Sequence, residues 1–207
     1  MTRYLCGLRM HFLRRTSLLS TSLLVAVLWI GSGGTACAQE ARILILKGDS
    51  LLDLEKPQRA LEYFDKAIAK DASATSYLAR AQAWFVMDRM DRFLMDVEQA
   101  LRKDSTSANA HYQRGLYAMR AEDPGKAEHH ATKAHDLATQ PLLKAQALIL
   151  RGQARSELKR YSTAIDDLEK GLAGSSTDPE ALKVLGRLYD QEGRHEDSPR
   201  GRPEKGG

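Results

Sequence analysis

A pattern of small residues that recurs four times constrains the fold of this chain more than any other feature. In each unit a Lys or Arg directly precedes a Gly or Ala. Twelve positions after this Gly or Ala comes a residue suited to burial, and seven positions after that comes another small residue. The units begin 33, 34 and 37 residues apart, with a partial fifth start at Gly186. A fixed period of this size is typical of supersecondary units stacked in a row. The four sets are Lys47, Gly48, Ala60 and Ala67; Arg80, Ala81, Phe93 and Ala100; Arg114, Gly115, Ala127 and Ala134; and Arg151, Gly152, Ala164 and Gly171.

The clearest copies of the pattern run from Tyr77 to Asp104 and from Arg151 to Leu172. They resemble the tetratricopeptide repeat family, in which each unit is a pair of antiparallel helices and the units stack into a right-handed superhelix. The resemblance spans about residues 41–193 and departs at Phe93, where the family prefers Ala. It implies an all-α solenoid of about four units with a C-terminal capping helix, but it does not imply one function. The implied boundaries are about 41–73, 74–106, 107–140 and 141–175 for the units and 179–192 for the capping helix.

Helical spacing of apolar residues and the positions of Pro support the same fold. Leu61, Phe64 and Ile68 recur at the spacing of a helix face, not with the alternation of a strand. Pro is favoured at the first position of a helix, and Pro57, Pro124, Pro141 and Pro179 each stand at an expected helix start. Three extra residues near 137–143 predict a longer turn or helix between units three and four. The predicted helices are 41–54, 57–70, 74–88, 91–103, 107–121, 124–137, 141–158, 161–173 and 179–192.

The two ends of the chain have a different character. Residues 1–38 contain four Arg and no acidic residue, with an apolar run before small residues at Ala36 and Ala38. These are the parts of a secretory signal peptide, and they predict cleavage between Ala38 and Gln39, with Met10 as an alternative start to Met1. An uncleaved N-terminal anchor is the other interpretation of this segment. Residues 194–207 lack apolar periodicity and are predicted to be a disordered tail.

Cys37 leaves a second possibility open for export. Gly34-Thr-Ala-Cys37 ends like the motif that precedes a lipidated bacterial Cys, although that motif normally has a Leu-like residue where Gly34 stands. Several acyl chains on one Cys would anchor the protein stably to a membrane. We therefore expect an exported protein, periplasmic or secreted, with a membrane-anchored lipoprotein as the alternative.

Charge and cysteine content exclude several classes of function for the repeats. The chain has 31 basic and 27 acidic residues, and the four excess Arg lie in the first 38 residues. The remainder is neutral and lacks the positive field that nucleic-acid binding requires. Both Cys residues, Cys6 and Cys37, precede the repeats, so the repeats contain no disulfide, thiol nucleophile or Cys-based zinc site.

The histidines do not have the spacing of a metal site. Two ligands on one helix face should be three or four residues apart, whereas His135 is five residues from His130 and six from His129. Together with His111 they are interpreted as surface or packing residues. No phosphate loop and no recognisable catalytic triad is present. We predict no enzyme activity, no metal and no cofactor; a metal-dependent enzyme using His129 and His130 remains the competing hypothesis.

The spacing between Arg and Asp predicts ion pairs within units. Arg80 and Asp96 are sixteen residues apart, as are Arg151 and Asp167. In an antiparallel helix pair this spacing places each Arg opposite its Asp. We interpret both as ion pairs that fix helix register; ligand-binding arginines are the alternative.

In the family that the chain resembles, the first helix of each unit lines a concave groove for a segment of a partner protein. By register the resemblance implies a groove with an apolar and aromatic centre, so we expect a protein or peptide partner whose binding depends little on surface charge. The basic residues of the family's carboxylate clamp are missing, because Ile45, Asp49, Ala79, Asn109 and Gln113 stand at those positions. The alternative function is a lipid-anchored accessory subunit of a cell-envelope assembly complex, and the oligomeric state is left open. The predicted groove residues are Leu78, Gln82, Phe85, Tyr112, Leu116, Met119 and Ile149.

Overall fold

The computed structural model describes residues 22–174 and 178–193, with side chains from Ala36 onward. The chain divides into two units between Cys37 and Ala38, and the fold described below is that of the second. Within the described residues there are helices and turns but no strand. The helices are α1 (Ser22–Asp53), α2 (Pro57–Lys70), α3 (Ala74–Val86), α4 (Met90–Lys103), α5 (Ala108–Arg120), α6 (Pro124–Leu137), α7 (Pro141–Glu157), α8 (Tyr161–Gly174) and α9 (Pro179–Gln191).

The first helix differs from the sequence prediction. The expected start at residue 41 is wrong, because α1 begins at Ser22 and continues through Cys37, Ala38 and Gln39. Between Ala36 and Ala41 the sequence contains no Gly or Pro to end a helix. Cleavage after Ala38 stays a prediction, and residues 1–21 and 194–207 lie outside the described residues. None of the described helices combines the length and apolar character needed to cross a bilayer.

Consecutive helices from α2 to α9 pack against each other, which confirms the all-α solenoid. Contacts connect α3 with α4, α5 with α6 and α7 with α8 inside units, and α2 with α3, α4 with α5 and α6 with α7 between units. The first helices of neighbouring units also touch, because α5 contacts both α3 and α7, and α7 contacts α9. The first helices therefore form one continuous inner layer.

The recurring small residues lie where paired helices approach most closely. Ala60, Ala67 and Ala164 have no exposed surface, and Phe93, the departure from the family pattern, is buried as well. A Cβ atom on Gly152 would lie 2.8 Å from Leu168 Cγ and 3.0 Å from the Ala164 carbonyl oxygen. Because a larger side chain would force the helices apart, this spacing requires small residues, as the sequence predicts.

Local sequence determines where the helices begin and end. Pro57, Pro124, Pro141 and Pro179 each occupy the first position of a helix. Each turn within a unit contains one non-glycine residue with a left-handed backbone, at φ angles of 56° to 60°. Such a residue ends the preceding helix, and α3 therefore stops at Val86, two residues before the predicted end. The four left-handed residues are Glu55, Asp88, Glu122 and Lys159.

Candidate functional site

The inner layer of first helices borders a groove with a volume of about 780 Å³. Its floor is formed by α3, α5 and the start of α7, and it is therefore built where the first helices of three units meet. Much of its surface is apolar or aromatic, and four of its side chains are large, apolar and exposed. These four are Phe85, Val86, Leu137 and Leu142.

Neutral polar groups complete the lining. Gln82 on α3, Asn109 and Gln113 on α5 and Gln146 on α7 bring side-chain amides to the groove from three successive units. A smaller concavity of about 250 Å³ adjoins it, because Gln82, Ser107 and Asn109 line both. Amides in these positions offer donors and acceptors for the backbone of a bound chain.

The structure brings together four of the seven groove residues predicted from the sequence. Gln82, Phe85, Tyr112 and Leu116 line the main groove. Leu78 lines the smaller concavity, although most of its surface is buried against α4 and α5.

Two predicted groove residues lie elsewhere, and for them the register argument fails. Met119 packs against Ala118, Ala127 and Ala154 at the junction of α5, α6 and α7. Ile149 is 5% exposed and packs against α8 and α9. A Cβ atom on Gly171 would lie 2.7 Å from Ile149 Cγ1, so this side chain fills the α7–α8 crossing and is a core residue.

The segment between units three and four adds residues that the register argument missed. Leu137, Thr139, Gln140 and Leu142 belong to the end of α6, the inter-unit turn and the start of α7, and all four line the groove. The available signal was the three-residue insertion at 137–143, which lengthens α7 to 17 residues against 13 for α3 and α5. The insertion therefore forms one wall of the groove.

Phe85 is the most accessible aromatic residue of the groove. Its side chain is 41% exposed, and its ring centroid lies 5.6 Å from that of the buried Phe93. The Arg120 guanidinium lies 6.0 Å from the Phe85 ring centroid and is paired with Asp88. Phe85 thus packs on a buried ring while part of its own surface stays accessible in the groove.

Gln113 and Tyr112 bring buried polar groups to the floor of the groove. Gln113 is 5% exposed, and its buried Oε1 accepts no hydrogen bond from a described residue. Burial raises the pKa of the Tyr112 hydroxyl, and the nearby Asp178 carboxylate raises it further. Polar groups that have lost water in this way gain from a ligand that brings hydrogen bonds.

The predicted ion pairs are present and lie outside the groove. Arg80 Nε and Nη2 donate to the two Asp96 oxygens at 2.8 and 2.7 Å, and Arg151 contacts Asp167 in the same two-pronged way at 2.7 Å. The sequence did not reveal that Trp84 Nε1 also donates to Asp96, at 3.1 Å. With these partners, the arginines hold the helices of a unit in register.

A third connection of this kind runs between units. Arg155 Nε donates to Glu128 at 2.9 Å and Arg155 Nη1 donates to Asp167 at 2.7 Å, so one side chain joins α6 to α8. Its partners lie 27 residues before it and 12 after it. Trp84 and Asp96 have the same twelve-residue spacing, whereas no repeated spacing marks Glu128. This contact fixes the position of the fourth unit on the third.

The histidines form a stacked pair that the sequence analysis did not predict. His111 Nδ1 lies 3.1 Å from His130 Nδ1, and His111 Nε2 donates to the Ser105 carbonyl oxygen at 3.1 Å. His129 meets His130 edge-on, whereas His135 contacts Asp136. Among the described residues, no group of three His, Cys, Asp or Glu side chains is arranged to hold a metal ion. In the third unit the sixteen-residue spacing joins Arg114 and His130, and His111, one turn before Arg114, stacks on the same ring.

Comparisons with known proteins give one match by sequence. A family model described as tetratricopeptide repeat matches residues 45–110 and 112–179, well over half of the chain. No curated protein sequence matches the chain.

Solved structures with the same fold come from several proteins of low sequence identity. MamA superposes with a TM-score of 0.61 and 18% identity, over 79% of this chain and 88% of that chain. PilF of Pseudomonas aeruginosa gives 0.71 and 17%, over 82% and 80%. YrrB, described as a TPR protein with an unusual peptide-binding site, gives 0.58 and 20%, over 76% and 80%. At these identities the similarity shows the fold alone.

Proposed function

Because this chain belongs to the tetratricopeptide repeat family, we propose that it is a non-catalytic scaffold that holds a peptide or helix of a partner protein in its groove. Proteins of this family are typically interaction scaffolds. One observation carries the proposal for this chain: Phe85, Tyr112 and Leu116 line a groove of about 780 Å³ that three first helices share.

The composition of the groove supports binding of a polypeptide segment. Interfaces concentrate their binding energy in a few central aromatic or large apolar residues surrounded by polar groups that exclude water. Phe85 and Tyr112 provide such a centre, and Gln82 and Asn109 provide the polar surroundings. YrrB, a protein of this fold described as having an unusual peptide-binding site, is consistent with this use of the surface.

Peptide selection with matched variants tests the proposal. Dodecapeptides displayed on phage are selected on the full chain, and the strongest binder is synthesised with a fluorescent label for anisotropy titration. We expect Phe85→Ala and Tyr112→Ala each to raise the Kd at least about tenfold, since truncating a central contact residue costs about 2 kcal/mol. Circular dichroism and thermal melting establish that both variants remain folded.

Met95→Ala is the matched control. Met95 is 58% exposed but lies on α4 beside Asp65 and Arg80, outside the groove. We expect this variant and His129→Ala to bind the peptide as the unmodified chain does. If Met95→Ala or His129→Ala weakened binding and the two groove variants did not, the groove would not be the binding surface.

We also propose that the protein is exported, on the evidence of its basic and apolar N-terminal segment. The Gly34-Thr-Ala-Cys37 sequence favours a second version, in which lipidated Cys37 anchors an accessory subunit of a cell-envelope assembly complex. Mass spectrometry of the mature N-terminus separates the two, because cleavage after Ala38 leaves Gln39 first and lipidation leaves acylated Cys37. An N-terminus at Met1 or Met10 would contradict both.

A further inference from the structure

The charges that line the groove bear on which peptide it accepts, an inference that rests on the proposed function. Asp104 is the charged residue in the lining of the main groove, and Asp49 is the charged residue in the adjoining concavity. Within the described lining of the two concavities there is no Lys, Arg or His. The Arg120 guanidinium, which lies near the Phe85 ring, is already paired with Asp88. The combined groove therefore carries negative charge without a compensating cation.

Asp104 is held in its ionised form by hydrogen bonds within its own turn. The Thr106 backbone N–H and hydroxyl donate to Asp104 Oδ1 at 2.9 and 2.7 Å, and these hydrogen bonds lower the pKa of the carboxyl. Asp104 forms no ion pair with a residue in the described part of the chain. By contrast, Asp96 and Asp167, outside the groove, are each paired with an Arg.

Asp49 is in a less favourable environment. Its side chain is half-buried, and this burial raises the pKa of its carboxyl. The nearby Asp53 carboxylate raises the pKa further. Asp49 likewise has no ion pair with a described residue. A cation bound next to it would offset the cost of burying this carboxylate.

We propose that the groove selects an apolar peptide segment that carries a Lys or Arg and no Asp or Glu, with its cation beside Asp104. The apolar part covers Phe85, Tyr112 and Leu142, while Asp49 adds to the negative potential. A peptide carboxylate in the same place would meet two like charges, and this repulsion excludes acidic segments. This charge selectivity differs from the expectation, drawn from the sequence, that binding depends little on surface charge.

The selected peptide provides the test when it is synthesised in three versions. One keeps its Lys or Arg, the second has Gln at that position and the third has Glu. We expect the full chain to bind the basic version about three- to fivefold more tightly than the Gln version, and the Glu version more weakly still. Added salt should reduce the difference, since exposed charges are screened.

Two carboxylate variants give the matched comparison. Asp104→Asn removes the charge but keeps an oxygen that accepts from Thr106, so the turn is preserved. Asp71→Asn is the control, because Asp71 follows α2 as Asp104 follows α4, with nearly the same backbone angles, and lines neither concavity. Asp104→Asn should abolish the preference for the basic version, so that this variant binds the basic and Gln versions with equal Kd. Asp71→Asn should retain the preference.

The outcomes separate this inference from the proposed function. Selected peptides without a basic residue, equal binding of the Lys and Glu versions, or a preference that survives Asp104→Asn would overturn the charge selectivity. If Phe85→Ala still weakened binding in that case, the groove would remain the peptide site. If Phe85→Ala left the Kd of every version unchanged, both proposals would fail together.

Discussion

The stacked pair of His111 and His130 is the contact between single residues with the clearest consequence for stability. Because His111 Nε2 donates to Ser105, its Nδ1 accepts the proton of His130 Nδ1, and both rings are neutral in this arrangement. Burial lowers the pKa of both rings, and that of His130 falls to about 4, with the nearby His111, Arg114, His129 and Lys133 adding to the effect. A proton on either ring would therefore place a charge among other cations.

Because of this pair, we expect acidification to lower the stability of the third unit. The unfolded rings titrate near pH 6.5, so between pH 6.5 and about 4 the unfolded chain binds more protons than the folded chain. The free energy of unfolding is then unaffected by the pair above pH 6.5 and falls as the pH drops through this window. After allowance for partial exposure of His130, we expect a loss of about 1–2 kcal/mol by pH 5.

Urea unfolding at pH 7 and pH 5 measures this effect. The double variant His111→Gln, His130→Gln should lose less stability between these pH values than the unmodified chain does. His135→Gln, which changes a histidine of the same helix outside the pair, serves as the control and should lose as much as the unmodified chain. Equal losses in all three proteins would show that the pair does not titrate in this window.

At the scale of helices, Ala127 on α6 tests whether the small-residue positions determine packing. Ala127 has no exposed surface and packs with Ala118 of α5 and Ala154 of α7. Ala127→Asp would bury a carboxylate without a partner, and we expect the free energy of unfolding to fall by about 3 kcal/mol. Ala69→Asp, at an exposed position of α2, should cost less than about 1 kcal/mol. Urea unfolding followed by circular dichroism gives both values, and similar costs would refute the register.

Helix boundaries were predictable where a chemical signal marks them. Pro57, Pro124, Pro141 and Pro179 identify four helix starts to the residue. The ends of α3, α5 and α7 were placed one or two residues too late, since a left-handed Asp88, Glu122 or Lys159 closes the turn instead of a Gly. Asp is enriched in this backbone conformation, so Asp88 carries a weak signal, whereas Glu and Lys carry none.

The groove was predictable only in part, because its walls come from different kinds of structure. Gln82 and Leu116 each follow the small residue of their unit by one position, so a repeat register finds both. Phe85 and Tyr112 lie one turn away from them on the same helix faces. Leu137 and Leu142 belong to an insertion that breaks the repeat, and no register assigns it a direction. Ile149 was misplaced for another reason. It lies three residues before Gly152, as Leu78 lies three before Ala81, and in both units this side chain packs mainly against the second helix.

For the molecule as a whole, stability depends on contacts between neighbouring units, so damage to one end should stay local. In a repeat protein each unit is stabilised by its own packing and by its neighbours, and terminal elements cover the apolar end of the stack. Helix α9 performs this role. It buries Ala181, Val184, Leu185, Leu188 and Tyr189 against α7 and α8, where it covers Ile165 and Leu168.

A chain that ends at Gly174 should therefore lose stability in its fourth unit first. Without α9, Ile165 and Leu168 become exposed, and we expect amide exchange in α7 and α8 to accelerate while α3 and α4 keep their protection. Hydrogen exchange read by mass spectrometry measures this for each helix. A chain that ends at Gly193 retains every described contact and should exchange as the full chain does. Uniform acceleration in all helices would show that the units unfold together, because a change at one end would then have reached α3 through the whole stack.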